Sequence, residues 1–104
     1  MRESLLNTLM KDGSRKFTEL PQSVLWHELR DHIAKLQGAN LTGFITDRIT
    51  EAWIDFTYAG YEFTINDQYG EYWFFVNDAT CPDHILRRVE SHFGKLLDKD
   101  KIHR

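Results

Sequence analysis

Cysteine occurs once, at Cys81, so the chain can form no internal disulfide and no multi-cysteine metal site. A reducing, cytoplasmic setting is the expectation that follows. The thiol reads as part of a helix start, "TCPDH", rather than as a nucleophile. Long apolar runs are missing as well: none approaches the roughly 20 residues that a membrane-spanning helix needs. The first residues, "MRESLLNTLMKDG", also lack the apolar stretch and small-residue cleavage site of a secretion signal. Neither secretion nor membrane association is expected. Glycine is scattered at positions 13, 38, 43, 60, 70 and 94 and builds no phosphate-cradling loop. A Gly-x-Ser-x-Gly nucleophile elbow is absent too.

Lys and Arg are nearly missing from the middle of the chain. Residues 39–83 hold one, Arg48, against eight Asp and Glu, a balance of −7, whereas residues 1–38 and 84–104 stand at +1 and +3. So acidic a centre repels a phosphate backbone, and direct nucleic-acid binding there is disfavoured. At 104 residues, 41% hydrophobic and 28% charged, the chain suits one folded domain over residues 1–104 and is too short for two.

What the chain does have is periodicity. Leu5, Leu6, Leu9 and Met10 stand at helical spacing and predict a short helix over Arg2 to Met10, stopped by "KDG" with Gly13 as a left-handed cap. "SRKFTEL" breaks that pattern and reads as a connection. From Pro21 to Gly38, Leu25, Leu29, Ile33 and Leu36 line one face of an amphipathic helix with Trp26 at its margin. "LTGFITDRIT" favours a strand. A final helix is announced by Thr80 as a cap, Pro82 in the first turn and Asp83 at the positive end of the dipole. Its apolar stripe is Ile85, Leu86, Val89, Phe93, Leu96 and Leu97, with Arg87, Arg88, Glu90 and Lys95 outside it.

Between these lies "EAWIDFTYAGYEFTINDQYGEYWFFVND", which holds most of the chain's aromatic residues and six carboxylates without a Lys or Arg. A two-residue turn at Ala59-Gly60 pairs Tyr58 with Tyr61, Phe56 with Phe63 and Ile54 with Ile65, all on one face. The same register sets Trp53, Asp55 and Thr57 opposite Asn66, Thr64 and Glu62 on the other face, and a one-residue slip would destroy the alternation. A four-residue loop at 67–70 would pair Asn66 with Glu71 and send Tyr72, Phe74 and Val76 to the core face, Trp73 and Phe75 to the other, whereas an odd-length loop or a bulge would exchange the two sets. Neither face of this third strand is polar, so part of the second face is expected to be covered, by a terminal segment, a second copy or a partner. The architecture implied is α+β: a three- or four-stranded antiparallel β-meander with N-terminal helices and a C-terminal helix packed on one sheet face.

The histidines do not make a metal site. "HELRDH" places His27 and His32 five residues apart, about 140° from a common helix face, so the pairs His27–Asp31 and Glu28–His32 read as surface neighbours. His84 and His92 can share a face of the last helix but lack an accompanying carboxylate or cysteine. Asp55, Glu62 and Glu71 beside Trp53 and Trp73 resemble the paired acids and aromatic platforms of sugar-processing sites. A small open sheet rarely supplies the cleft that catalysis needs, however, and solvated acids on such a face discourage aggregation. No cofactor, metal or catalytic residue is therefore expected.

The expected function is protein binding. Trp53, Trp73 and Phe75 would anchor, while Asp55, Glu62, Glu71 and also Asp67 or Asp78 would complement a basic protein partner that this chain inhibits or escorts. Self-association through the same face is the variant of this reading. A small enzyme or small-ligand binder with a pocket between sheet and helices is the alternative.

Overall fold

The computed structural model describes residues 5–46, 52–68 and 70–97. Their elements are β1 (Thr8–Leu9), β2 (Arg15–Pro21), α1 (Trp26–Ile33), β3 (Asn40–Thr46), β4 (Ala52–Tyr58), β5 (Tyr61–Gln68), β6 (Glu71–Val76) and α2 (Asp83–Leu97). The six strands form one sheet in the order β1-β2-β6-β5-β4-β3, every neighbouring pair antiparallel. Both helices bury their apolar residues in a single core against one sheet face, so the α+β class stands while the strand number rises to six. Among the described residues no helix is long and apolar enough to cross a membrane.

The first departure from the sequence expectation is at the N-terminus, where a hairpin replaces the helix expected over Arg2 to Met10. Asp12 Oδ1 accepts from Ser14 N at 3.0 Å and Ser14 Oγ at 2.7 Å, Gly13 takes φ +91°, and Met10 N donates to Ser14 O at 2.9 Å. That side-chain-stabilised turn reverses the chain and pairs Leu9 with Arg15. Residues 2–4 of that stretch lie outside the described residues. The supposed connection "SRKFTEL" becomes β2, with Phe17 fully buried and edge-on to Phe63 and Phe74. A bulge between Lys16 and Thr18 breaks the two-residue alternation, which is why the segment does not read as a strand.

The segment from β2 to β3 joins strands with three others between them, roughly 19 Å apart at the usual strand spacing. An eight-residue α1 supplies about 12 Å of that reach and the flanking turns the rest. It is shorter than the 21–38 helix expected: Leu25 sits at its N-cap, 63% exposed, while Leu29, Ile33 and Leu36 are buried as their spacing implies. The strand expected over 41–50 is seen as β3 to Thr46, and its remainder lies outside the described residues.

The β4–β5 hairpin has the register that the alternation dictates, from Tyr58↔Tyr61 to Trp53↔Asn66. Its turn uses positive φ at both Ala59 (56°) and Gly60 (84°). The next connection is shorter than four residues: Gln68 pairs Glu71, so Asn66 faces Trp73 rather than Glu71. Shortening by an even number preserves the faces, and Tyr72, Phe74 and Val76 are buried in the core while Trp73 and Phe75 lie half-buried opposite.

On α2, Leu86, Val89, Phe93 and Leu97 are buried, and Phe93 touches both Phe56 and Phe74. Glu90, expected outside the stripe, is buried and accepts from Thr18 Oγ1 at 2.7 Å, because β2 runs beneath that side of the helix. Thr80 does not cap α2; its hydroxyl donates to Asp78 Oδ1 at 2.6 Å, and Pro82 O instead accepts from the amides of Ile85 and Leu86. Cys81 is buried, and burial followed by the charge of Asp78 pushes its thiol up to about 11, which suits a packing role.

His32 turns toward α2 instead of pairing with Glu28 at the surface. Its ring stacks on His92 with centroids 4.0 Å apart, and each Nε2 donates to the other's backbone carbonyl at 2.8 Å. A carbonyl only accepts, so both Nε2 atoms carry their protons. Burial, then the neighbouring His32, Lys95 and Lys35, lower the pKa of His92 from 6.5, against the raising effect of its bond to His32 O.

Two predictions follow from these contacts. An alanine in the left-handed region costs about 1 kcal/mol, so Ala59→Asn is expected to raise the urea midpoint by a corresponding amount, and an unchanged midpoint would contradict this strain. For His92 the folded pKa lies below the unfolded one, so its contribution is fully present above pH 6.5 and is lost as pH falls from there through the folded value. Denaturation of the wild type between pH 7.5 and 5 is expected to show this decline (about 6.5 being the ordinary His value), and His92→Gln is expected to flatten it.

Candidate functional site

Among the described residues no helix lies on the second sheet face. Its strands present Trp53 and Asp55 from β4, Glu62, Thr64 and Asn66 from β5, and Trp73 and Phe75 from β6. The β1–β2 hairpin reaches this face from the side, because Arg15 pairs Val76 and so brings Ser14 beside Asn77. An open groove of about 580 Å³ results, lined by Met10, Asp12, Ser14, Trp53, Asp55, Thr64, Phe75 and Asn77.

The described lining of the groove combines apolar side chains with two carboxylates. Met10, Trp53 and Phe75 supply its apolar surface, with Trp53 40% exposed. Asp12 and Asp55 supply charge, and no Lys or Arg stands among the described lining residues. Hydrogen bonds from the Ser14 side chain and backbone hold the Asp12 carboxyl below its ordinary value, so it is ionised at neutral pH. Asp55 Oδ1 accepts from Thr64 Oγ1 at 2.8 Å across the β4–β5 pair. Its other oxygen lies where Gly43 has no side chain: a Cβ there would stand 3.0 Å from Asp55 Oδ2. Gly43 faces Asp55 at a register shift in β3, so a small residue and an irregular strand together leave room for the carboxylate.

Of the residues expected to bind, the groove gathers Trp53, Asp55 and Phe75. Trp73 shares their face but lies under Lys16, whose Nζ is 3.5 Å from the ring centroid and also pairs with Glu19. That contact supplies the cover expected for the aromatic third strand, and it comes from the chain's own N-terminal segment. The Trp73 indole nitrogen is buried with no hydrogen-bond partner among the described residues. Glu62 is exposed outside the groove, where its carboxylate accepts from Asn77 Nδ2 at 3.5 Å. Glu71 is exposed at the far end of β6, paired with Pro21 and Gln68.

Asp67 and Asp78 lie elsewhere. Asp67 pairs Tyr72 at the end of β5 and accepts from Gln22 Nε2 at 3.3 Å, whereas Asp78 is taken up by Thr80 in the turn before α2. Sequence reasoning missed Met10, Asp12, Ser14 and Asn77. The available signal was "DG" at positions 12 and 13, which marks a hairpin turn as readily as a helix stop. No group of three or more metal-ligating side chains occurs among the described residues.

Comparison with known proteins finds no matching family model, no matching curated protein and no matching solved structure.

Gly43→Ala is expected to push the Asp55 carboxylate from its place and break the bond to Thr64, destabilising the fold by about 1 kcal/mol, the net worth of one such bond. A chemical-shift change centred on Asp55 and Thr64 together with a lowered urea midpoint would show this. Unchanged shifts at both positions would mean that the close approach places no constraint on Asp55.

Proposed function

We propose that the chain is a protein-binding module whose second sheet face takes a basic partner, with one Lys or Arg side chain of that partner entering the groove. The observation that carries this reading is the lining itself: Met10, Trp53 and Phe75 line the groove together with two carboxylates, and no cation stands among its described lining residues. A long cationic side chain matches both requirements, because its methylene stem packs on aromatic surface while its charged end meets Asp12 and Asp55. Lys16, a cation on the same face, is already committed to Glu19 and Trp73. Glu62, exposed beside Asn77, adds negative charge next to the groove and would speed encounter with a basic surface.

A second copy is a poorer occupant, since it would bring the same acids together. Phe17, Phe56, Phe63, Phe74 and Phe93 pack in the core between sheet and helices, which favours protein binding over an enzyme or small-ligand binder with a pocket there.

Matched capture experiments test the reading. Tagged wild-type protein and the charge-removing variant Asp12→Asn/Asp55→Asn would be exposed to lysate of the native host at low salt and then washed at high salt. A basic protein retained by the wild type, released by salt and lost from the variant is the expected result. Equal capture by both forms, or recovery of only further copies of this chain, would overturn the proposal.

A further inference from the structure

A second concave surface lies on the opposite side of the molecule and has the opposite charge. It is a cleft of about 390 Å³ along α2, lined by His84, Arg87, Arg88, Ser91, His92 and Lys95, with Leu36 from the turn after α1. Positions 84, 87, 88, 91 and 95 follow the three- and four-residue spacing of one helix face. Among the described residues no carboxylate lines the cleft. The acids that α2 contains are directed elsewhere: Glu90 is buried against Thr18, and Asp83 meets Arg15 at 3.5 Å.

We infer that this cleft is a binding site for a small ligand carrying two or more linked phosphates. Three permanent cations, Arg87, Arg88 and Lys95, converge on it, and guanidinium forks match phosphate oxygens in a bidentate fashion. Arg88 is positioned in advance, since its Nη1 lies 3.5 Å from the Tyr58 hydroxyl on the sheet. The Ser91 hydroxyl between the cations adds a neutral donor. Arg87 and Lys95 stand two turns apart, about 12 Å along the helix, a spacing that linked phosphates bridge better than one. The positive potential is also felt by His92, whose protonation Lys95 and Lys35 oppose.

A nucleic-acid strand fits this surface less well. The basic face extends over only about three turns of helix, and the rest of the molecule gives the chain a net charge of −3.

The test is calorimetric titration of the full chain at low ionic strength with tripolyphosphate, orthophosphate and a single-stranded oligonucleotide as probes. Tripolyphosphate is expected to bind at least tenfold more tightly than orthophosphate, with amide shifts confined to the residues between His84 and Lys95. Arg87→Ala/Lys95→Ala removes two exposed cations outside the core and is expected to weaken tripolyphosphate at least tenfold, whereas Trp53→Ala leaves its affinity unchanged. Absence of tripolyphosphate binding, equal affinity in wild type and the Arg87/Lys95 variant, or binding of the oligonucleotide alone would each overturn the inference.

Discussion

One strand makes the strongest demand on this molecule. β6 sends Tyr72, Phe74 and Val76 to one face and Trp73 and Phe75 to the other, so it requires apolar cover on both sides. The first face receives it from the helices, above all from Phe93, a fully buried side chain whose truncation would cost about 3–5 kcal/mol in a fold of roughly 5–15 kcal/mol total stability. On the second face the cover is a hairpin and a lysine. Lys16 lies over Trp73, and Met10 and Ser14 come alongside Phe75. That cover does not reach Trp53, and the groove is the space it leaves.

How much of this the sequence discloses depends on the range of the interaction that decides each element. The β4–β5 register is local: alternation over both strands and a turn that takes positive φ leave one solution. The core stripe of α2 is local as well. β2 is not, because its bulge spoils the alternation and its partner β6 comes late in the chain. The burial of Glu90 and the inward turn of His32 are consequences of neighbours that no helical periodicity reveals. The candidate site divides in the same way. Parity within strands places Trp53, Asp55 and Phe75 on the correct face. Met10, Asp12 and Ser14 reach the groove only through the pairing of β2 with β6, and the same pairing brings Lys16 over Trp73.

The opposed charges of the two surfaces are an effect of the core as well as of composition. α2 carries an acid in its middle, but Glu90 is drawn inward to the Thr18 hydroxyl, and the outward side is left to Arg87, Arg88 and Lys95. On the sheet, Lys16 is held by Glu19 and Trp73, and the groove is left to Asp12 and Asp55. Glu90 and Lys16, each opposite in sign to its surroundings, both have a structural partner. Among the described residues, the recess on the sheet is thus lined by Asp12 and Asp55, and the one across the helical layer by Arg87, Arg88 and Lys95.

The crossover through α1 also sets an order of assembly. β3 to β6 are successive neighbours joined by short connections and can pair as soon as each is made, but β2 must wait for β6, closing the chain from Pro21 to Glu71. A nascent chain therefore holds Phe17 and Leu20 without partners throughout synthesis of the meander. Until β2 inserts, the outer edge of β6 is an unpaired row of backbone donors and acceptors, open to the same strand of a neighbouring molecule. Exchange of the N-terminal hairpin between two copies is thus the misassembly to which this topology is most exposed.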